Sequence, residues 1–105
     1  MSKQQFDSFD AMLANSDKPT LVDFYAPWCG PCQMMAGILK QVKEQLGDQV
    51  NIVKINTDNY PHIASEHRIE ALPTLVLFKD GKASDRIEGV LRPEQLVARL
   101  QPNLG

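Results

Sequence analysis

At 105 residues the chain has the size of a single domain, residues 1–105, long enough to bury roughly two-thirds of its unfolded surface without a covalent staple. Its formal charge is −2, with 11 Lys/Arg and 13 Asp/Glu interspersed, which argues against nucleic acid or an anionic membrane as a partner. The longest aliphatic-aromatic run, Leu75-Val76-Leu77-Phe78, is too short to span a bilayer, and the first ten residues carry no signal-peptide core, so a reducing compartment is the expectation.

The elements alternate between strand and helix. Residues 3–6 are a weak candidate for a short edge strand. Ser8 is the expected N-cap of a helix from Phe9 to Ala14, with Phe9, Met12 and Leu13 on one face. Residues 15–19 form a loop. Leu21-Val22-Asp23-Phe24-Tyr25 has the apolar character of a strand buried on both faces. From Cys32 to Leu46, Met35, Ile38, Leu39, Val42 and Leu46 recur at helical spacing, and Gly47 is a natural stop. Residues 51–56 make a second central strand, and Tyr60-Pro61 opens a short helix with Ile63 and Ala64. Thr74 to Phe78 is a third strand, which turns at Lys79-Asp80-Gly81-Lys82 and returns over Ala83 to Glu88. Pro93 starts a last helix with Leu96, Val97 and Leu100 inward. This order predicts an α/β fold, a mixed sheet of four to five strands flanked by about four helices on both faces.

Both cysteines of the chain lie in Cys29-Gly30-Pro31-Cys32, directly after an apolar strand and at the start of the long helix. Thiols at this spacing are within disulfide reach of each other. A helix start favours negative charge by up to ~2 kcal/mol, enough to lower a thiol by about one to one and a half pKa units. The first thiol is then partly thiolate near neutral pH and can attack a disulfide, and the second can complete the exchange. Pro31 suits a helix start because it lacks only an N–H that has no helical acceptor there, and Gly30 leaves the sulfurs open to approach. The competing assignment is zinc, with His62 and His67. However, 29 residues separate Cys32 from His62, against about a dozen in the usual two-Cys two-His pattern, so the redox assignment is the stronger one.

Asp23 in the middle of an apolar strand is costly to bury charged, and burial would raise its pKa. It lies six residues before Cys29 on the strand that feeds the helix, which would put it beneath the cysteines. Lys54 holds a similar place in the second central strand. The pattern leaves two arrangements open: the pair meets in the interior, or both point into water from a half-exposed sheet. Pro73 stands at the start of an apolar strand, a permitted position, and the ~5% frequency of cis X–Pro bonds alone predicts trans. His62 and His67 are expected on helix surfaces, and Met34 and Met35 as packing residues. Trp28 is expected to shield the thiols and offer a contact surface to partners.

The string from Val22 to Met34, Val-Asp-Phe-Tyr-Ala-Pro-Trp-Cys-Gly-Pro-Cys-Gln-Met, resembles the active-site segment of the thioredoxin family. Ile69-Glu70-Ala71-Leu72-Pro73-Thr74-Leu75 is similar to the loop facing it, and Phe78-Lys79-Asp80-Gly81 to the hairpin. The resemblance covers nearly the whole chain and is greatest to the y-type members of cyanobacteria and chloroplasts. It implies a thioredoxin fold and a protein-disulfide reductase with Cys29 as nucleophile and Cys32 as resolving thiol. It also implies Asp23 as a buried carboxylate assisting proton transfer with Lys54 near it, and a cis Leu72–Pro73 bond against the disulfide. The implied peptide-binding rim is Trp28, Gly30, Pro31, Leu72, Gly89 and Val90. No cofactor or metal is implied. The implied partners are disulfide-containing target proteins and a thioredoxin reductase, NADPH- or ferredoxin-dependent, acting on a monomer in the cytoplasm or the chloroplast stroma. Two other functions compete: a disulfide oxidase or isomerase, which a basic or His residue between the cysteines would favour, and a binding module whose cysteines are incidental.

Three positions depart from the family pattern. Gly37 stands where a helix-kinking proline is usual, so a less bent helix is expected. The first strand is short and polar, which predicts a frayed sheet edge. Arg92 precedes Pro93 where Ser or Thr is the common N-cap, which predicts a poorly started last helix.

Overall fold

The computed structural model describes residues 2–104, with side chains from residue 9 onward. The elements are α1 (Ser2–Asn15), β1 (Thr20–Tyr25), α2 (Gly30–Leu46), β2 (Asn51–Asn56), α3 (Pro61–Glu66), β3 (Thr74–Lys79), β4 (Lys82–Glu88) and α4 (Pro93–Leu100). The strands form one mixed sheet in the order β2-β1-β3-β4, with β1 and β2 parallel and the other neighbours antiparallel.

The alternation along the two central strands separates two cores, because successive strand side chains point to opposite faces. Leu21, Leu75 and Leu77 face α2 and α4, where they pack with Met35, Leu39, Val42, Leu96 and Leu100. Val22, Phe24, Val76 and Phe78 face the other way, onto Phe9 and Leu13 of α1 and Ile63 of α3. Each fully buried side chain of this kind contributes about 1.5–3 kcal/mol relative to exposure. Asp23 follows the Leu21 parity and therefore lies on the α2 side of the sheet.

The expected edge strand at residues 3–6 is instead the first turn and a half of α1. The segment Ser2–Asn15 contains Lys, Gln, Ala, Met and Leu and no glycine, proline or β-branched residue, so helix propensity prevails over the weak strand pattern. Ser8 accordingly lies inside the helix and is not its N-cap. With no strand outside it among the described residues, β2 is an edge strand rather than a central one, and most of its residues are only half-buried.

Helix α2 runs unbroken through Gly37 and stops at Gly47, whose φ of 57° suits glycine and whose N–H donates to the Lys43 carbonyl. Lys43 Nζ also donates to the carbonyls of Gly47 (2.8 Å) and Val50 (2.7 Å), closing the helix end. The start of α4 is better made than expected. The Arg92 N–H donates to Gln95 Oε1 at 3.1 Å, half of a capping box, and Pro93 occupies the first turn.

His62 is exposed on α3, as expected, but His67 is half-buried at the end of that helix. Its ring meets Phe9 (6.0 Å between centroids), Phe24 (5.8 Å) and Phe78 (5.3 Å), two of them edge-on. Its Nε2 has no hydrogen-bond partner, and desolvation pulls its pKa below the usual value against the opposing pull of Glu66 and Asp10. Helical periodicity placed His67 on a surface because it ignored the three phenylalanines that tertiary folding brings over it. Met12 likewise leaves the apolar face of α1 and is 38% exposed.

Candidate active site

The end of β1 and the start of α2 place the cysteines. A turn closed by the Cys29 N–H donating to the Ala26 carbonyl (3.1 Å) leads from the strand into the helix. Cys29 is then the N-cap of α2, with extended backbone, and its Sγ accepts the Cys32 N–H at 3.3 Å. A sulfur in the capping position meets the unpaired N–H groups and the positive end of the helix dipole, which stabilise its thiolate. The two cysteines are joined as a disulfide, their Cα atoms 5.3 Å apart. Both are nearly buried, Cys29 at 6% and Cys32 at 4% exposure, in a small cluster with Ala26, Tyr25 and Leu72.

The Leu72–Pro73 bond is cis. It brings Leu72 over the sulfur pair, and it is held by the Gly89 N–H donating to the Pro73 carbonyl (2.9 Å) and Thr74 Oγ1 donating to the Ala71 carbonyl (2.6 Å). Gly89 has φ 90°, which favours glycine. Local frequency alone predicts trans, while the resemblance implies the cis bond that the structure shows.

Two depressions open on the disulfide from different sides. One is a groove of about 480 Å³ lined by Trp28, Cys29, Gly30, Pro31, Thr57, Ile69, Glu70 and Leu72. Trp28 is 72% exposed, and its Nε1 donates to Asp58 Oδ2 at 3.1 Å, which fixes the ring as one wall. The other is a cleft of about 300 Å³ lined by Asp23, Tyr25, Ala26, Pro27, Cys32, Gln33, Ala36 and Lys54. Cys29 therefore opens onto the groove and Cys32 onto the cleft.

Asp23 is 1% exposed and its Oδ1 has no hydrogen-bond partner. Burial raises its pKa from 3.8 to about 6, and the charge of Lys54 opposes that rise only in part. Asp23 and Lys54 are register partners across β1 and β2. Of the two arrangements the pattern left open, neither holds in full: Asp23 points inward, and Lys54 is exposed at the mouth of the cleft.

Of the expected site residues, the structure gathers Cys29, Cys32, Trp28, Gly30, Pro31, Leu72, Asp23 and Lys54 around the disulfide, and Pro73 follows Leu72 through the cis bond. Gly89 is tied to Pro73, while Val90 is 36% exposed and lines neither depression. Thr57, Ile69 and Glu70 line the groove without having been singled out, and Asp58 anchors the tryptophan. Ile69 and Glu70 were legible through their place in the segment before Pro73. Thr57 and Asp58 carry no sequence signal, because only the parallel pairing of β1 with β2 brings them to this end of the sheet. Among the described residues no group of three or more His, Cys, Asp or Glu is placed to hold a metal ion.

The family model for thioredoxin matches residues 1–102. The chain is 57% identical over 102 residues to Thioredoxin Y1, chloroplastic, of Arabidopsis thaliana, covering 97% of this chain and 59% of that one. It is 59% identical over 99 residues to a thioredoxin-like protein of Synechocystis, covering 94% of each. Identity to Thioredoxin 1 of Synechococcus elongatus is lower, 42% over 97 residues, covering 92% of this chain and 91% of that one. The chain thus spans about 60% of the length of the plant relatives it matches. With the cysteine pair capping α2, Leu72 of the cis bond packed against it and the mixed sheet beneath, these likenesses establish that the chain belongs to the thioredoxin family and is of the y-type.

Proposed function

We propose that the chain is a thiol–disulfide oxidoreductase that reduces disulfides of target proteins. The observation that carries this is the Cys29 sulfur at the N-cap of α2, open to a groove on one side and bonded to a partner cysteine that faces a buried carboxylate on the other. In the reduced protein the Cys29 thiolate attacks one sulfur of the target disulfide. A mixed disulfide forms, and the other target sulfur leaves as a thiolate that takes up a proton. Asp23 accepts the proton of the Cys32 thiol. The Cys32 thiolate attacks the Cys29 sulfur, closing the intramolecular disulfide and releasing the second target thiolate, which is protonated in turn. Two electrons pass from protein to target; of the two protons the target gains, one comes from the Cys32 thiol by way of Asp23 and the other from solvent.

A carboxyl with a pKa near 6 suits this work, because it is ionised at neutral pH and still basic enough to hold the proton briefly. Lys54 at the cleft mouth favours the charged form. Leu72 and Pro73 shape the floor beside the sulfurs, and Trp28, Gly30 and Pro31 the near rim; Gly89 and Val90 extend it beyond the groove. A thioredoxin reductase, NADPH- or ferredoxin-dependent, restores the dithiol. The protein works as a monomer in a reducing compartment, cytoplasmic or stromal; "chloroplastic" in the names of the Arabidopsis relatives supports the stromal alternative.

Insulin reduction with dithiothreitol, read by turbidity, tests the activity. The wild type should accelerate precipitation well above dithiothreitol alone. Equal rates with and without the protein would refute the proposal.

A further inference from the structure

The groove on the Cys29 side is apolar at Trp28, Pro31, Ile69 and Leu72, and Glu70 is the one ionisable side chain other than the cysteine among its lining residues. Glu70 is exposed, three residues before the cis proline Pro73. A second carboxylate, Asp58, stands directly behind the Trp28 wall, held there by the indole N–H. Lys54 opens onto the opposite cleft, so its charge does not compensate Glu70 within the groove. A target loop placing its disulfide on Cys29 must lay its flanking residues past Glu70. An anionic flank meets like charge there, and a cationic flank meets its complement.

We propose that Glu70 is a specificity-determining residue that selects target disulfides flanked by cationic side chains. This rests on the reductase function proposed above and refines its substrate class. Rim charges act mainly on association rate and are screened by salt. An exposed pair is worth about 0.2–1 kcal/mol, so the expected preference is modest, about 1.4- to fivefold.

The test uses two synthetic peptides, each with one intramolecular disulfide and the same loop, flanked by lysines in one and glutamates in the other. The reduced protein is mixed with each, and the rate constant is followed by fluorescence of Trp28, the only tryptophan in the sequence and adjacent to Cys29. The wild type should favour the lysine peptide at low salt, and 0.5 M (about a 4 Å screening length) NaCl should shrink the ratio. Glu70→Gln should bring the ratio towards that left by Asp58 alone, and Glu70→Lys should reverse it, with insulin reduction confirming that each variant remains active. A ratio indifferent to both substitutions, while the wild type reduces both peptides, would overturn the role of Glu70 and leave the reductase function standing. Failure of the wild type to reduce either peptide or insulin would instead remove the function and this proposal together.

Discussion

The two sides of the disulfide are built on opposite principles. The groove beside Cys29 is wide, shallow and exposed, walled by an indole that is 72% accessible. The cleft beside Cys32 is smaller and ends at a carboxylate that is 1% accessible. Exposed apolar surface contributes little to folding and remains available to a partner. A buried, unpartnered carboxylate costs folding energy, and it persists where chemistry uses it. Under the proposed function the two halves of the exchange fall on different faces: target binding and attack on one, deprotonation and resolution on the other. One sulfur pair serves both because it lies at the seam between them.

The largest test of this division is to remove each sulfur in turn. Cys29→Ser should abolish insulin reduction, because a hydroxyl is not ionised at neutral pH. Cys32→Ser should keep the attack and lose the release, so that mixed disulfides accumulate on non-reducing gels and dissolve with excess dithiothreitol. Release of reduced target by Cys32→Ser at near wild-type rate without added thiol would contradict the assignment.

Asp23→Asn separates the cleft from the groove. The folded-state pKa of Asp23 lies above its unfolded value, about 6 against 3.8, so the folded protein binds the extra proton between those pH values. Its contribution to stability is therefore most favourable below pH 3.8 and declines as pH rises through 6, to a penalty of about 3 kcal/mol. Asparagine removes that penalty but buries an amide, so a net gain of about 1–3 kcal/mol above pH 7 is expected, fading in acid. Urea unfolding of the oxidised protein at pH 4.5 and 8 measures it. The same variant should slow the resolving step near neutral pH and leave the first attack almost unchanged. Equal resolution rates across pH 6–9 would end the proton-acceptor role.

Trp28→Ala breaks the groove alone. Truncating an exposed ring should change stability by less than about 0.5 kcal/mol. It should lower kcat/KM for protein targets about fivefold, the loss of roughly 1 kcal/mol of contact. The smallest effect belongs to Gly37→Ala, which touches neither side. A Cβ there meets nothing within 4 Å, so no close approach of another element requires glycine at this position. Alanine should add about 0.5–1 kcal/mol in stability by reducing the freedom of the unfolded chain, with activity unchanged. A loss of stability in thermal unfolding would show that α2 needs glycine for another reason.

Much of the molecule was determined by local sequence. The alternation in β1 and β3, the helical spacing from Met35 to Leu46, the Asp80-Gly81 turn and the cysteine pair at a helix start each depend on neighbours within a few residues. Cys29 and Cys32 belong to this class, since capping and spacing are local properties. The rest was decided by tertiary structure. Residues 3–6 are an exception, since the helix propensity of Ser2–Asn15 is local; the place of β2 at the edge of the sheet is a tertiary outcome. Asp23 and Lys54 share a register but differ in burial, because α2 covers one side of β1 while β2 stands at the margin. His67 is enclosed by rings from α1, β1 and β3. The meeting of Thr57 and Glu70 at the groove of Cys29 depends on chain segments tens of residues from the cysteine. Periodicity reports which face of an element is apolar; which other element comes to lie against that face is set by the free energy of the whole packed structure.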